Sequence, residues 1–208
     1  MYNICTIVNL EIIRMDKVMD MVWVEKYRPQ TIEECILPKE IKATLQGFVD
    51  NNDMPNLILA GKAGISKTTI SLALARQLGF EMLFINASLE TGIDTVRNKI
   101  QDFCSSISLT GATKCVILDE SDGLAITAQT ALRAFIEKFS ATTRFIFTCN
   151  YVSKLIPAIH SRCTVINYEI PADEKNDLMK AACKRLFFIL KNENIEFDPK
   201  TVAHILSR

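Results

Sequence analysis

Five short, unbroken apolar runs recur between helix-like segments of this chain, and that alternation constrains its fold more than any other feature. The runs are PNLILAG (Pro55 to Gly61), EMLFINA (Glu81 to Ala87), KCVILDE (Lys114 to Glu120), RFIFTCN (Arg144 to Asn150) and CTVINYEI (Cys163 to Ile170). A strand with one face in water alternates apolar and polar residues. Strands that are apolar throughout belong to parallel sheets covered by helices on both faces. Between the runs, KTTISLALARQLG carries Ile70, Leu74 and Leu78 at helical spacing, with Gly79 as its stop. A second helix is expected over Ile93 to Phe103. ITAQTALRAFIEKF makes a third, with Leu132, Phe135, Ile136 and Phe139 on one face. The expected class is α/β, with a five-stranded parallel sheet between helices.

Past IPADE the strands cease. ADEKNDLMKAACKRLFFILKNENI reads as one helix, and DPKTVAHILSR opens another with Asp198 as N-cap and Pro199 in the first turn. The expected division is an α/β domain over residues 21–170 and the start of a small all-helical domain over 171–208. Residues 1–20 stand apart. Their apolar stretch is broken by Asn9, Glu11 and Arg14, and is too short and polar to span a bilayer. It lacks the basic start and small-residue cleavage site of a signal peptide. With Met15, Met19 and Met21 following, this leader is expected to lie outside the native protein, the alternative being an extra edge strand or arm.

The 24 basic residues are balanced by 24 acidic ones, so overall charge does not point to nucleic acid. Any DNA contact must come from a local patch or from several subunits together. Seven cysteines occur with no C-x-x-C pair and only two histidines, which argues against a zinc site. Several sit inside the apolar runs, where a reduced thiol packs as a small hydrophobe. A reducing, cytoplasmic setting with no membrane partner is the expectation, the host cytoplasm if the chain is viral.

The chemistry-bearing residues cluster at the C-terminal ends of the runs, where open α/β sheets place their ligands. GKAGISKTT (Gly61 to Thr69) approximates the phosphate-binding pattern G-x-x-x-x-G-K-[ST]. There, backbone N–H groups and a helix N-terminus cradle the phosphates of a nucleotide such as ATP, the lysine reaches the terminal phosphates and the hydroxyl reaches Mg²⁺. Gly61, Gly64, Lys67 and Thr68 fit, but Ser66 stands where the second glycine belongs. Taken alone, the segment also suits a polar turn before an amphipathic helix. Asp119 and Glu120 end the third run, an arrangement in which one carboxylate holds Mg²⁺ and the next polarises water. Asn150, ending the fourth, is placed to orient the attacking water or to serve as a turn residue.

Around these residues VWVEKYRPQTIEEC, INASLETGIDTVRNKI, DESD, QTALRAFIEKFS, FTCN and IHSRCTVINY follow in order. Together they resemble the clamp-loader ATPases, a branch of the AAA+ family, from about Val22 to Arg208. Within that branch the likeness is greatest to the large subunit of T4-like bacteriophage loaders, the cyanophage type. The resemblance implies an AAA+ P-loop NTPase core followed by the start of a helical lid. It implies a subunit that uses ATP and Mg²⁺ to open a sliding clamp and load it on primer–template DNA during replication. The partners implied are other clamp-loader subunits, the clamp and the DNA.

By position, Tyr27 and Arg28 would lie near the adenine base. Gly61, Gly64, Ser66, Lys67, Thr68 and Thr69 would hold the phosphates, and Thr68 and Asp119 the Mg²⁺. Glu120 would act on the water and Asn150 on the γ-phosphate. Arg162 would act in trans on the ATP of a neighbouring subunit, and Arg133 would couple the nucleotide site to DNA. Arg97 and Lys99 would contact DNA phosphates, although the family often has a basic residue where this chain has Thr91.

Within the loop the departures are Lys62, Ala63, Ile65 and Ser66. A glycine is expected at position 66 because close backbone approach and unusual dihedrals are needed there. A Cβ in that place costs about 1 kcal/mol or more. Weakened ATP affinity and slowed hydrolysis with an intact fold are therefore expected. The alternative is a hydrolysis-deficient subunit of the same complex that keeps the fold and donates Arg162. Another AAA+ machine, such as a helicase loader, is disfavoured by EKYRP and SRC.

Overall fold

The computed structural model describes residues 23–89, 93–108 and 111–199. The leader over 1–20, Thr91 and the helix expected to run on to residue 208 lie outside the described residues. In chain order the elements are α1 (Trp23–Lys26), α2 (Lys39–Asp50), β1 (Leu57–Ala60), α3 (Lys67–Gln77), β2 (Glu81–Asn86) and α4 (Ile93–Ser105). There follow β3 (Lys114–Asp119), a 3₁₀ turn at Ser121–Gly123, α5 (Ile126–Lys138), β4 (Thr143–Cys149) and a second 3₁₀ turn at Val152–Lys154. The last elements are α6 (Pro157–His160), β5 (Thr164–Asn167) and α7 (Lys175–Asn192).

The sheet is five-stranded and parallel throughout, in the order β2-β3-β4-β1-β5. Apolar runs in the middle of the sheet are covered on both faces, and every residue of β1 and β3 is buried. Successive side chains along β3 enter opposite cores. Val116 and Leu118 join Val96, Ile100, Leu132 and Phe135 of α4 and α5. Cys115 and Ile117 join Ile70, Leu74 and Leu45 of α3 and α2. Each such side chain stabilises the fold by roughly 1.5–3 kcal/mol on burial. The edge strands differ from the expectation of full burial, because each has a neighbour on one side only. Phe84 of β2 is 43% exposed and Val165 of β5 is 37% exposed.

The strand ends are also tighter than the apolar runs. β1 stops at Ala60 because Gly61 turns the chain at φ 151°. A Cβ there would sit 2.4 Å from Ile65 Cδ1 and 2.7 Å from Tyr168 Cβ. The end of α3 follows its sequence signal: Gly79 takes φ 65°, and the N–H of Phe80 reaches back to Ala75 O at 3.0 Å. That is the bonding of a helix closed by a left-handed glycine. α2 was not expected from the alternation of runs. Its stripe of buried Leu45 and half-buried Ile41, Phe48 and Val49 has helical spacing and begins just after Pro38. Among the described residues no helix is long and apolar enough to cross a membrane.

Candidate active site

The loops leaving β1, β3 and β4 meet at the C-terminal edge of the sheet and enclose a cleft of about 340 Å³, within the usual size for a small-molecule site. Gly64, Ser66, Lys67, Thr68 and Thr69 line one wall, and Asp119, Glu120 and Asn150 line the other. Residues far apart in sequence are thereby brought together by the strand order. α3 begins at Lys67, so its first backbone N–H groups, which have no partner within the helix, face this cleft.

The loop conformation depends on left-handed residues. Gly64 sits at φ 81° and Ser66 at φ 64°, ψ 20°. Ser66 thus holds the conformation that a glycine adopts at no cost, as the missing glycine led one to expect. Ser66 O still accepts the first helical bond, from Ile70 N at 3.0 Å. The loop keeps its form and bears the strain.

Lys67 Nζ donates to Gly61 O at 2.8 Å, to Lys62 O at 2.7 Å and to Asn150 Oδ1 at 3.1 Å. The ammonium is thus drawn across the loop toward the end of β4. Burial lowers its pKa from the ordinary lysine value, against the opposing pull of Cys149 and of the Asp119, Asp122 and Glu120 carboxylates.

Asp119 is 6% exposed, and its Oδ1 accepts two hydroxyl bonds, from Thr68 Oγ1 at 2.8 Å and from Thr148 Oγ1 at 2.6 Å. Thr148 is a site residue that sequence reasoning passed over. Its hydroxyl also accepts from Glu120 N at 3.0 Å, fixing the backbone between the two acidic residues. Hard oxygen donors from a hydroxyl and a carboxylate, side by side at a helix N-terminus, suit Mg²⁺.

Glu120 is the second strained residue, at φ 53°, ψ 42°. Its Oε2 accepts a bond from Ser88 Oγ, just beyond β2. That hydroxyl also lies 2.7 Å from Asn86 Oδ1, and its one proton serves a single acceptor at a time. Neither Ser88 nor Asn86 carries a local sequence signal. Gln129 is similar: 1% exposed, it donates to Leu124 O at 3.0 Å and to Lys154 O at 3.1 Å and accepts from Ile156 N at 2.8 Å. One amide therefore ties together the segments that follow β3 and β4.

The other expected site residues lie elsewhere. Tyr27 and Arg28 do not line the phosphate cleft. Tyr27 Oη donates to Glu193 Oε1 at 2.7 Å, its ring meets Phe188 edge-on, and its carbonyl accepts from Arg185 Nη2 at 3.0 Å. Arg28 pairs with Glu25. An apolar pocket of about 490 Å³ adjoins the loop instead, between Ile65, Ser66 and Tyr168 on one side and Leu178 and Met179 of α7 on the other. Arg162 is at the opposite, N-terminal edge of the sheet, where its carbonyl accepts from Asn56 Nδ2 at 3.3 Å. A sheet's length separates it from the cleft of its own chain. Arg97 and Lys99 are exposed on α4, and Arg133 is exposed on α5.

Comparison with known proteins agrees with this geometry. The profile of the ATPase family associated with various cellular activities (AAA) matches residues 57–170. The chain is 41% identical over 192 residues to a replication factor C small subunit of Sulfolobus acidocaldarius, covering 89% of this chain and 57% of that protein. It is 40% identical to a probable replication factor C subunit 5 of Dictyostelium discoideum, covering 88% of this chain and 54% of that protein. The chain therefore spans somewhat over half the length of these relatives. Among solved structures, Thermotoga maritima RuvB, a Holliday junction branch migration motor, superposes with a TM-score of 0.65 at 17% identity. It covers 88% of this chain and 60% of that one, a likeness of fold.

Proposed function

The chain belongs to the ATPase family associated with various cellular activities (AAA), and from that premise we propose that it is the ATP-hydrolysing part of a sliding-clamp loader subunit. The observation that carries the hydrolytic part is the Thr68–Asp119–Thr148 cluster and the Lys67–Asn150 bond, which join the two walls of one cleft. The clamp-loading part is supported by the relatives named replication factor C and by the ordered motifs from EKYRP to SRC. Its partners are then other loader subunits, the clamp and primer–template DNA, and its setting is the cytoplasm. The narrower likeness to the large subunit of T4-like phage loaders rests on those motifs alone. Assembly of the full-length chain with a T4-like clamp tests it.

In this reading Lys67 leaves the loop carbonyls for the terminal phosphates, whose charge replaces three neutral acceptors. Thr68 and Asp119 would hold Mg²⁺, which would offset charge on the phosphate oxygens. Glu120 turns from Ser88 toward the attacking water, and Asn150 orients that water against the γ-phosphate. The base takes the apolar pocket under α7, with Tyr27 and Arg28 near it. Residues 21–170 form the ATP-binding domain and 171–208 begin the lid. Arg162, remote from its own cleft, serves the ATP of an adjoining subunit, where a guanidinium offsets charge on the transferred phosphoryl group. Arg97 and Lys99 face DNA phosphates, and Arg133 links the site to DNA.

The strain at Ser66 supports a second reading, a subunit that binds and assembles without hydrolysing. One experiment separates the two: clamp- and DNA-stimulated ATP turnover of the assembled complex, measured for this sequence and for Glu120→Gln. A native rate well above that of the variant is expected. Equal rates near zero would establish the non-hydrolysing subunit instead.

A further inference from the structure

Arg162 is held far more firmly than a surface arginine needs to be. Its Nε donates to Glu137 Oε1 at 2.9 Å and its Nη2 reaches the same oxygen. Nη1 donates to Ala158 O at 2.7 Å and to Ser161 Oγ at 2.9 Å. A guanidinium has five N–H donors, so four are engaged inside the subunit and one on Nη2 is left over. The backbone is tied as well. Asn56 bonds to Arg162 O through Nδ2 and to Phe145 N through Oδ1, the latter at 2.9 Å, joining the arginine to the N-terminal ends of β1 and β4. Glu137 lies in the last turn of α5 and does not line the cleft, which is at the far edge of the sheet.

Resting on the reading that Arg162 acts on the ATP of an adjoining subunit, we propose that Glu137 is its positioning residue. The carboxylate fixes the plane of the guanidinium before assembly, so that the neighbour's triphosphate meets a donor already aimed. A free arginine side chain has many rotamers to lose on contact, whereas a preset donor needs no reorganisation as charge develops in the transition state. Stability alone does not explain the pair. Glu137 is 49% exposed and Arg162 31% exposed, and ion pairs of that kind contribute little to folding.

The test compares Glu137→Ala, Glu137→Gln and Arg162→Ala in the full-length subunit within its assembled complex, by steady-state ATP turnover. Glutamine keeps an acceptor oxygen at the same reach, so it should rescue what alanine loses. The expected result is a fall in kcat on the order of tenfold for Glu137→Ala, with KM for ATP unchanged and Glu137→Gln within about threefold of native. Thermal unfolding and ATP affinity of the isolated subunit should be native in both variants. A native kcat for Glu137→Ala beside a slow Arg162→Ala overturns the positioning role alone. So does a Glu137 variant faster than native, since the carboxylate would then be restraining the arginine. A native rate for Arg162→Ala overturns the trans reading itself, and the role of Glu137 with it.

Discussion

Thr148→Val removes one hydroxyl and leaves the shape of the side chain nearly unchanged, which isolates what that hydroxyl does. Thr148 is 2% exposed, so water cannot substitute for it. Its donation to the Asp119 carboxylate at 2.6 Å is a charge-assisted bond, contributing roughly 1.5–3 kcal/mol. Its acceptance from Glu120 N leaves that N–H without an acceptor when lost, at a cost of about 1 kcal/mol, the low end because Glu120 is exposed. Together the loss is about 3 kcal/mol. In a chain of this length 1 kcal/mol moves the melting point by roughly 2–4 °C, so Tm should fall by about 6–12 °C. Asp119 would keep Thr68 as its remaining hydroxyl donor and would turn more freely. Half-maximal turnover should then need about tenfold more Mg²⁺, the usual order for a lost partner of a metal ligand. The assays are thermal unfolding, urea unfolding with m compared between variants, and ATP turnover against Mg²⁺ concentration. Thr148→Ser retains the hydroxyl and should stay near native Mg²⁺ dependence. A valine variant within about 0.5 kcal/mol of native, with native Mg²⁺ dependence, would refute the reasoning.

Ser66→Gly relieves about 1 kcal/mol of left-handed strain but adds a similar freedom to the unfolded chain, so stability should change by less than about 0.5 kcal/mol. ATP affinity and turnover should rise by up to about fivefold; nucleotide titration showing no gain would mean that the strain does not limit binding. Gly61→Ala drives a Cβ to 2.7 Å from Tyr168 Cβ and 3.1 Å from Tyr168 O, and should cost about 2 kcal/mol or more in denaturant unfolding. Burial raises the pKa of Cys35 and Cys149 to about 11 and that of Cys115 to about 12, above the value that each thiol regains on unfolding. The unfolded chain therefore loses these protons first. Stability should hold through neutral pH and fall above the ordinary thiol pKa by about 1 kcal/mol per pH unit for each thiol, and native protein at neutral pH should leave all three unreactive toward a thiol reagent. Rapid labelling of any of them without unfolding would contradict their burial.

What the sequence made legible was set by periodicity. Runs such as KCVILDE are mostly apolar because a strand buried on both faces admits a polar side chain only where a partner meets it, so their class and order could be read directly. Their ends could not. Pro55 and Gly61 are counted in the first run, yet the strand is Leu57–Ala60, because hydrogen-bond geometry rather than hydropathy decides where pairing stops. α2 escaped notice for a different reason: it belongs to no strand–helix repeat, although Ile41, Leu45, Phe48 and Val49 already carried its stripe. Tyr27 is a case where motif and contact carry different information. Its position in the EKYRP segment pointed to the base, while its contacts with Glu193, Phe188 and Arg185 of the helical segment have no signal in the chain's spacing.

The residues that order the site, Thr148, Ser88 and Gln129, leave no local trace because each acts across the strand order. Thr148 serves the carboxylate at the end of the neighbouring strand, and Ser88 serves the acid that follows it. No spacing along the chain encodes such a neighbour; only the order β2-β3-β4 does. Strain falls between the two cases. At Ser66 it was foreseeable, because a pattern names glycine there and φ is indeed 64°. At Glu120 no pattern asks for glycine, yet φ is 53°. In the proposed role toward the attacking water Glu120 must stay a carboxylate, so the chain cannot relieve that turn by substitution. It secures the turn instead with Thr148 at the backbone and Ser88 at the side chain. Nothing in the chemistry requires a side chain at Ser66, and that is why the two strained residues should respond oppositely to glycine: a gain at position 66, and a loss of hydrolysis at position 120.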